Sequence, residues 1–176
     1  MKHFQINEHI LLRFAEEKDS ALILDFIRGL AEYEHLLDKV QADEANLRKY
    51  IFEKKIIEVI IGEYDGKPAG FTLFFYNFST FLGKPGIYIE DLFIKPEFRG
   101  KGLGKIFFAF LAGIALERDC GRLEWACLNW NEPAIRFYKS QGGRPMDEWT
   151  TYRVMGEDIE KLAGTLRDRP CQKSRR

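Results

Sequence analysis

The sequence predicts one α/β (α+β) domain in which a mixed, mostly antiparallel twisted sheet is flanked by helices. Three observations carry that expectation. β-Branched and aromatic runs alternate with segments whose apolar residues recur every three to four positions, the periods of strand and helix. Two strand-like runs meet at Asp65-Gly66, a two-residue hairpin signal. The chain has 176 residues, 45% hydrophobic and 31% charged, which suits a single globular domain of roughly 100–200 residues.

Taken in order, Ile10-Leu11-Leu12-Arg13-Phe14 reads as a first strand. Asp19 and Ser20 are N-cap residue types for a helix whose Ile23, Phe26, Ile27 and Leu30 share one face. That helix runs out in Ala31-Glu32-Tyr33-Glu34-His35, and a more polar helix is expected over 42–52. The hairpin follows, with residues 56–64 outward and 68–76 returning. Beyond Gly83-Lys84-Pro85-Gly86, residues 87–94 form a fourth strand. A glycine-rich stretch, 99–104, leads into a helix opened by Lys105 and carrying Phe107, Phe110, Leu111 and Ile114. A fifth strand is expected over 123–128, and a short helix over 131–141 closed by Gly142-Gly143. A last strand is expected over 149–155 and a final helix near 157–166. The domain is expected to span 1–166. Residues 167–176, with five basic side chains and Pro170, read as a flexible basic tail.

Charge and composition exclude several function classes. Twenty-seven basic residues balance twenty-seven acidic ones, which argues against nucleic acid or an anionic membrane as partner. No window approaches the ~20 apolar residues of a membrane helix, and the start of the chain is too polar for a secretory signal. A cytoplasmic protein is expected. Cys120, Cys127 and Cys171 form no C-x-x-C pair, and His3, His9 and His35 stand in no zinc-ligand spacing to them. No metal site is expected, and the thiols read as reduced. Cys127, in the apolar run Trp125-Ala126-Cys127-Leu128, reads as an inert buried thiol.

Arg99-Gly100-Lys101-Gly102-Leu103-Gly104 lies between a strand and a helix start. Glycine permits close backbone approach, and the unpaired amides of a helix N-terminus attract an anion. A phosphate or pyrophosphate is the natural guest. The spacing is not that of a Walker A loop, because Gly100 and Gly104 stand one residue too close and Ile106 follows Lys105. Nor is it a dinucleotide fingerprint, because Lys105 occupies the third glycine's place and residues 95–99 intervene after the strand. Downstream, Asn131 and Pro133 suit the cap and first turn of a helix on which Phe137 and Tyr138 point about 100° apart.

Two patterns then carry a resemblance. Arg99, Gly102 and Gly104 match [QR]-x-x-G-x-[GA], and Asn131, Ala134, Phe137, Tyr138 and Gly142 match N-x-x-[AS]-x-x-[FL]-Y-x-x-x-G. In this order they resemble the GNAT superfamily of N-acetyltransferases, over roughly residues 11–166. Gly29-Leu30-Ala31-Glu32-Tyr33-Glu34, Ile89-Glu90-Asp91-Leu92-Phe93 and Asn131-Glu132-Pro133 look like its diamine (spermidine/spermine) branch.

The resemblance implies the GNAT fold, acetyl-CoA as co-substrate, a small-molecule amine as acceptor and a homodimer. It implies that the loop Arg99, Gly100, Lys101, Gly102, Leu103, Gly104 and Lys105 holds the diphosphate, with Asn131 and Pro133 also on the cofactor side. Backbone amides of Leu92, Phe93 and Ile94 would pair with pantetheine. Glu90 would be the general base, through water, and Tyr138 the general acid for the departing thiolate. Tyr33, Glu34, Glu90 and Asp91 would receive a cationic amine such as a polyamine or thialysine. The chemistry needs such groups, because a free primary amine, with a lysine-like pKa of about 10.4, arrives protonated. Two alternatives stand beside this one: a protein lysine or N-terminal acetyltransferase, and a non-catalytic acyl-CoA-binding module.

Overall fold

A computed structural model describes residues 3–166. The basic tail expected at 167–176, and Cys171 within it, lie outside the described residues. Six strands form one sheet in chain order, β1 (His3–Gln5), β2 (Ile10–Phe14), β3 (Glu58–Tyr64), β4 (Lys67–Ser79), β5 (Lys84–Ile94) and β6 (Leu123–Trp125). Neighbours pair antiparallel from β1 to β5, and β5 pairs parallel with β6. The sheet is therefore mixed and mostly antiparallel, as expected. The short β1 had no sequence signal of its own; three residues become a strand only by pairing with β2. Asp65 and Gly66, at φ 49 and 72, make the tight turn between β3 and β4.

Helices cover both faces. α1 (Ser20–Tyr33) and the short α2 (Glu44–Arg48) lie over Val59, Ile61, Phe71, Leu73 and Phe93. α3 (Leu103–Glu117) lies over Ile10, Leu12, Ile60, Phe74, Ile87 and Ile89. β3 reads as a continuous apolar run because Val59 and Ile61 face one layer and Ile60 the other. The polar helix expected over 42–52 is divided: α2 ends at Arg48 and a wider π turn runs through Lys49–Glu53.

Asp19 does not cap α1 with its side chain. Its carboxylate accepts instead from the Arg13 guanidinium at 2.7 and 3.0 Å and from the Glu16 amide at 2.7 Å, while Arg13 Nε donates to Glu63 at 2.8 Å. Burial pushes the Asp19 carboxyl up, but the Arg13 contact and the Glu16 amide outweigh it and hold it below the ordinary value.

Residues 3–141 make one compact unit, and residues from Gly142 onward a second. α4 (Glu132–Ser140) closes the first. In the second, α5 (Glu157–Gly164) carries Glu157, Asp158 and Glu160 in its first turn, where acidic groups suit the helix dipole. The strand expected over 149–155 does not form: a strand needs a partner for its amides and carbonyls, and none pairs with these residues among those described. No helix among the described residues is long and apolar enough to cross a membrane.

Arg13→Ala leaves Asp19 and Glu63 partly buried without their cation. Urea denaturation is expected to show a loss of about 3 kcal/mol; an unchanged midpoint would remove this network from the account of stability.

Candidate active site

The site begins where β5 loses a neighbour. β5 pairs with β6 only at Ile87, Tyr88 and Ile89. The register with β4 then shifts, Leu73 facing Asp91 while Phe74 faces Ile89, so Glu90 is the extra residue of a bulge. Beyond it, β5 follows β4 alone. The fifth strand expected over 123–128 accordingly stops at Trp125, and a cavity of about 490 Å³ is lined by Leu92, Phe93 and Ile94 on one wall and Ala126 and Cys127 on another.

The glycine loop forms part of the same cavity's lining. After Pro96–Phe98, a single 3₁₀ turn, Gly100 and Gly102 take φ 75 and 86. A Cβ at either would meet no atom within 4 Å, so the strain of the left-handed backbone, not crowding, calls for glycine. The first helical hydrogen bond of α3 runs from the Ile106 amide to the Gly102 carbonyl at 3.1 Å. The amides of Leu103, Gly104 and Lys105 precede it and have no acceptor within the helix. A fifteen-residue helix thus presents free donors and its positive dipole end to the cavity, a cradle that fits a diphosphate.

Lys101 does not join that cradle. Its ammonium sits 4.4 Å from the Tyr64 ring centroid and 5.3 Å from that of Phe98, away from the cavity lining. Arg99 does line the cavity. Its Nε donates to the Ile94 carbonyl at 3.0 Å, and its guanidinium stacks 4.6 Å from the Tyr33 ring.

α4 lines the cavity as well, and a Cβ at Gly104 would meet its Phe137 ring at 3.2 Å. Asn131 caps it by accepting from the Ala134 amide at 3.3 Å, and also accepts the Tyr33 hydroxyl at 3.0 Å. Pro133 and Ala134 line the cavity, as do Phe137 and Tyr138. Tyr138 packs among Phe108, Trp125 and Phe137 at centroid distances of 5.6, 5.2 and 5.5 Å. Burial in this aromatic nest, then the nearby Cys127, Glu34 and Tyr33, pushes its phenol up to about 12. It holds its proton throughout the neutral range.

The carboxyls expected for the amine divide. Tyr33 and Glu34 line the cavity; Glu90 and Asp91 do not. Glu90, on the bulge, is exposed, and Asp91 is half-buried. Burial pushes Glu34 up, and burial, then Glu90 and Glu34, pushes Asp91 up to about 7. Cys127 is not the buried strand thiol that its apolar neighbours suggested. It is half-buried at the cavity wall, with burial and Glu34 pushing its thiol up, which keeps it out of the thiolate form a nucleophile needs. Leu30, Phe98, Ala126, Cys127, Ala134 and Phe137 complete the lining and had not been singled out as site residues. Ala134 and Phe137 left a readable trace as members of the second pattern, Leu30 as a residue of the first helix's apolar face, and Cys127 as a thiol, whereas Phe98 and Ala126 left none.

Comparison with known proteins gives the same direction. The model of the Acetyltransferase (GNAT) family matches residues 24–142. A thialysine N-epsilon-acetyltransferase of Sus scrofa is 37% identical over 167 residues, covering 88% of this chain and 98% of that protein. One from Caenorhabditis elegans is 37% identical over 150 residues, covering 80% and 89%. Among solved structures, an integron cassette protein from the mobile metagenome of V. cholerae superimposes with a TM-score of 0.74 at 30% identity, covering 89% of this chain and 99% of that one.

A carboxyl whose folded pKa lies above its unfolded value takes up a proton on folding between the two. Its contribution to stability is therefore present near 3.8 and lost as pH rises through about 7. Asp91→Asn removes that dependence. Urea unfolding at about pH 5 and about pH 8 should show the variant gaining on the parent at the higher value; an equal difference at both pH values would contradict the buried charge.

Proposed function

From the premise that this chain belongs to the acetyltransferase (GNAT) family, we propose that it acetylates a primary amine of a small cationic substrate, of the thialysine or polyamine kind, by direct attack on acetyl-CoA. The chain is an acetyl-CoA-dependent N-acetyltransferase. The observation that supports the finer reading is one cavity lined by the residues at the start of α3, by Tyr138 and by Glu34. The amides suit an anion, and the carboxyl suits a cation.

Acetyl-CoA supplies an activated thioester, and the residues of this chain do the rest. The amides of Leu103, Gly104 and Lys105 hold the diphosphate, with Arg99 beside them and Asn131 and Pro133 flanking the same end. The part of β5 at Leu92–Ile94 that has left β6 offers main-chain groups to pantetheine and polarises the carbonyl under attack. Tyr138, retaining its proton, donates it to the departing sulfur. Glu34 and Asp91 attract the ammonium group. Glu90 accepts the amine's proton through water, because it lies outside the cavity wall. The homodimer that the resemblance implies, the cytoplasmic setting expected from composition, and a catalytic domain reaching residue 166 belong to the same proposal.

Release of free thiol from acetyl-CoA, measured with thialysine, lysine, spermidine and spermine, tests the substrate class. Turnover with thialysine or a polyamine is expected, and silence across the whole panel would overturn the reading. Tyr138→Phe is expected to lower kcat about 100-fold while the KM for the amine stays within about threefold. Parental kcat in that variant would remove the phenol from the mechanism.

A further inference from the structure

Tyr33 ends α1, and the diamine-branch resemblance makes it a receiver of the amine. Its hydroxyl is committed elsewhere. It lies 3.0 Å from Asn131 Oδ1, across 98 residues of sequence. That same atom accepts the Ala134 amide at 3.3 Å, so it is the carbonyl oxygen of the side chain, which can only accept. The phenol is therefore the donor, and its one proton is spent.

Asn131 is not a casual partner. It is 7% exposed, and it caps the helix that carries Tyr138. The other side of the arrangement is held as well. The Arg99 guanidinium of the glycine loop lies 4.6 Å from the centroid of the Tyr33 ring, and the ring of Trp130, next to Asn131, lies 6.0 Å from it. One side chain thus ties the end of α1, the anion-binding loop and the cap of α4. Removing its hydroxyl would leave Asn131 with one donor fewer in a buried place.

We infer that Tyr33 is a positioning residue for acetyl transfer: by holding Asn131 it fixes the first turn of α4, and through that turn the place of the Tyr138 phenol. The role rests on the proposed use of Tyr138 as the acid. It predicts an effect on the rate of transfer where an amine-receiving residue would act on affinity for the amine.

Tyr33→Phe in the full chain removes the hydroxyl and keeps the ring under Arg99. Without cofactor, hydrogen exchange of the Ala134 and Ile135 amides is expected to quicken about fivefold. Asn131→Ala is expected to do the same, whereas Asn131→Asp, which keeps an acceptor for both donors, is expected to leave these amides slow. In turnover with the best amine of the panel, Tyr33→Phe is expected to lower kcat about tenfold and to change the amine KM less than about twofold. Added to Asn131→Ala, it is expected to change kcat less than about twofold further, because both substitutions break one link. Unchanged exchange in Tyr33→Phe would overturn the inference. So would a raised amine KM at parental kcat, or effects of the two substitutions that multiply. An inactive parent chain would instead count against the proposed reaction, and the exchange measurement would still decide whether the link exists.

Discussion

After Ile89 the fifth strand keeps its antiparallel partner and gives up its parallel one, and the site depends on that parting. A sheet interior normally leaves no backbone group unpaired. Here the bulge at Glu90 turns β5 so that Leu92–Ile94 stay bonded to β4 while Ala126 and Cys127 stand off as the opposite wall. The gap is a slot with main-chain groups along one side. It is held open by layers that are themselves closely packed: Phe93 belongs to the core under α1, and Ile89 to the core under α3.

The two ends of the slot differ in charge for reasons of backbone and of side chain. At the loop, donors arise because α3 begins there and its first amides have no acceptor within the helix. Elsewhere on the slot's lining, burial pushes Glu34, Cys127 and Tyr138 in the same direction, toward the protonated form, and Asp91 behind the wall likewise. A phenol kept neutral suits the donation of a proton to sulfur. Carboxyls that ionise reluctantly gain most from a cation brought beside them. An incoming ammonium group therefore supplies the countercharge that favours their ionised form.

Placement of the phenol is a separate matter from its proton. Tyr138 is packed by Phe108, Trp125 and Phe137, which fixes the ring, while the cap at Asn131 fixes the start of its helix. Tyr33 and Arg99 join that cap to the loop. The glycine loop and the Tyr138 phenol are thus connected through side chains as well as through the sheet.

Local chemistry was readable along the chain. Asp65-Gly66 announces its turn because few residue pairs tolerate positive φ twice. The stretch from Arg99 to Gly104 announces a loop ending in free helix-start amides, because those amides need no distant partner. Asn131 and Pro133 likewise mark the start of α4 from their own conformational preferences. Contacts between distant segments were not readable. Whether residues 126–128 continue a strand depends on where β5 turns away. Whether 149–155 forms one depends on a partner, and whether Lys101 meets an anion or the rings of Tyr64 and Phe98 depends on packing. Tyr33 shows the same division: its place after the first helix is written in the sequence, but the direction of its hydroxyl is set by Asn131. Hydrogen bonds between neighbours in sequence are specified by the residues themselves; those across the fold exist only once every intervening element has been placed.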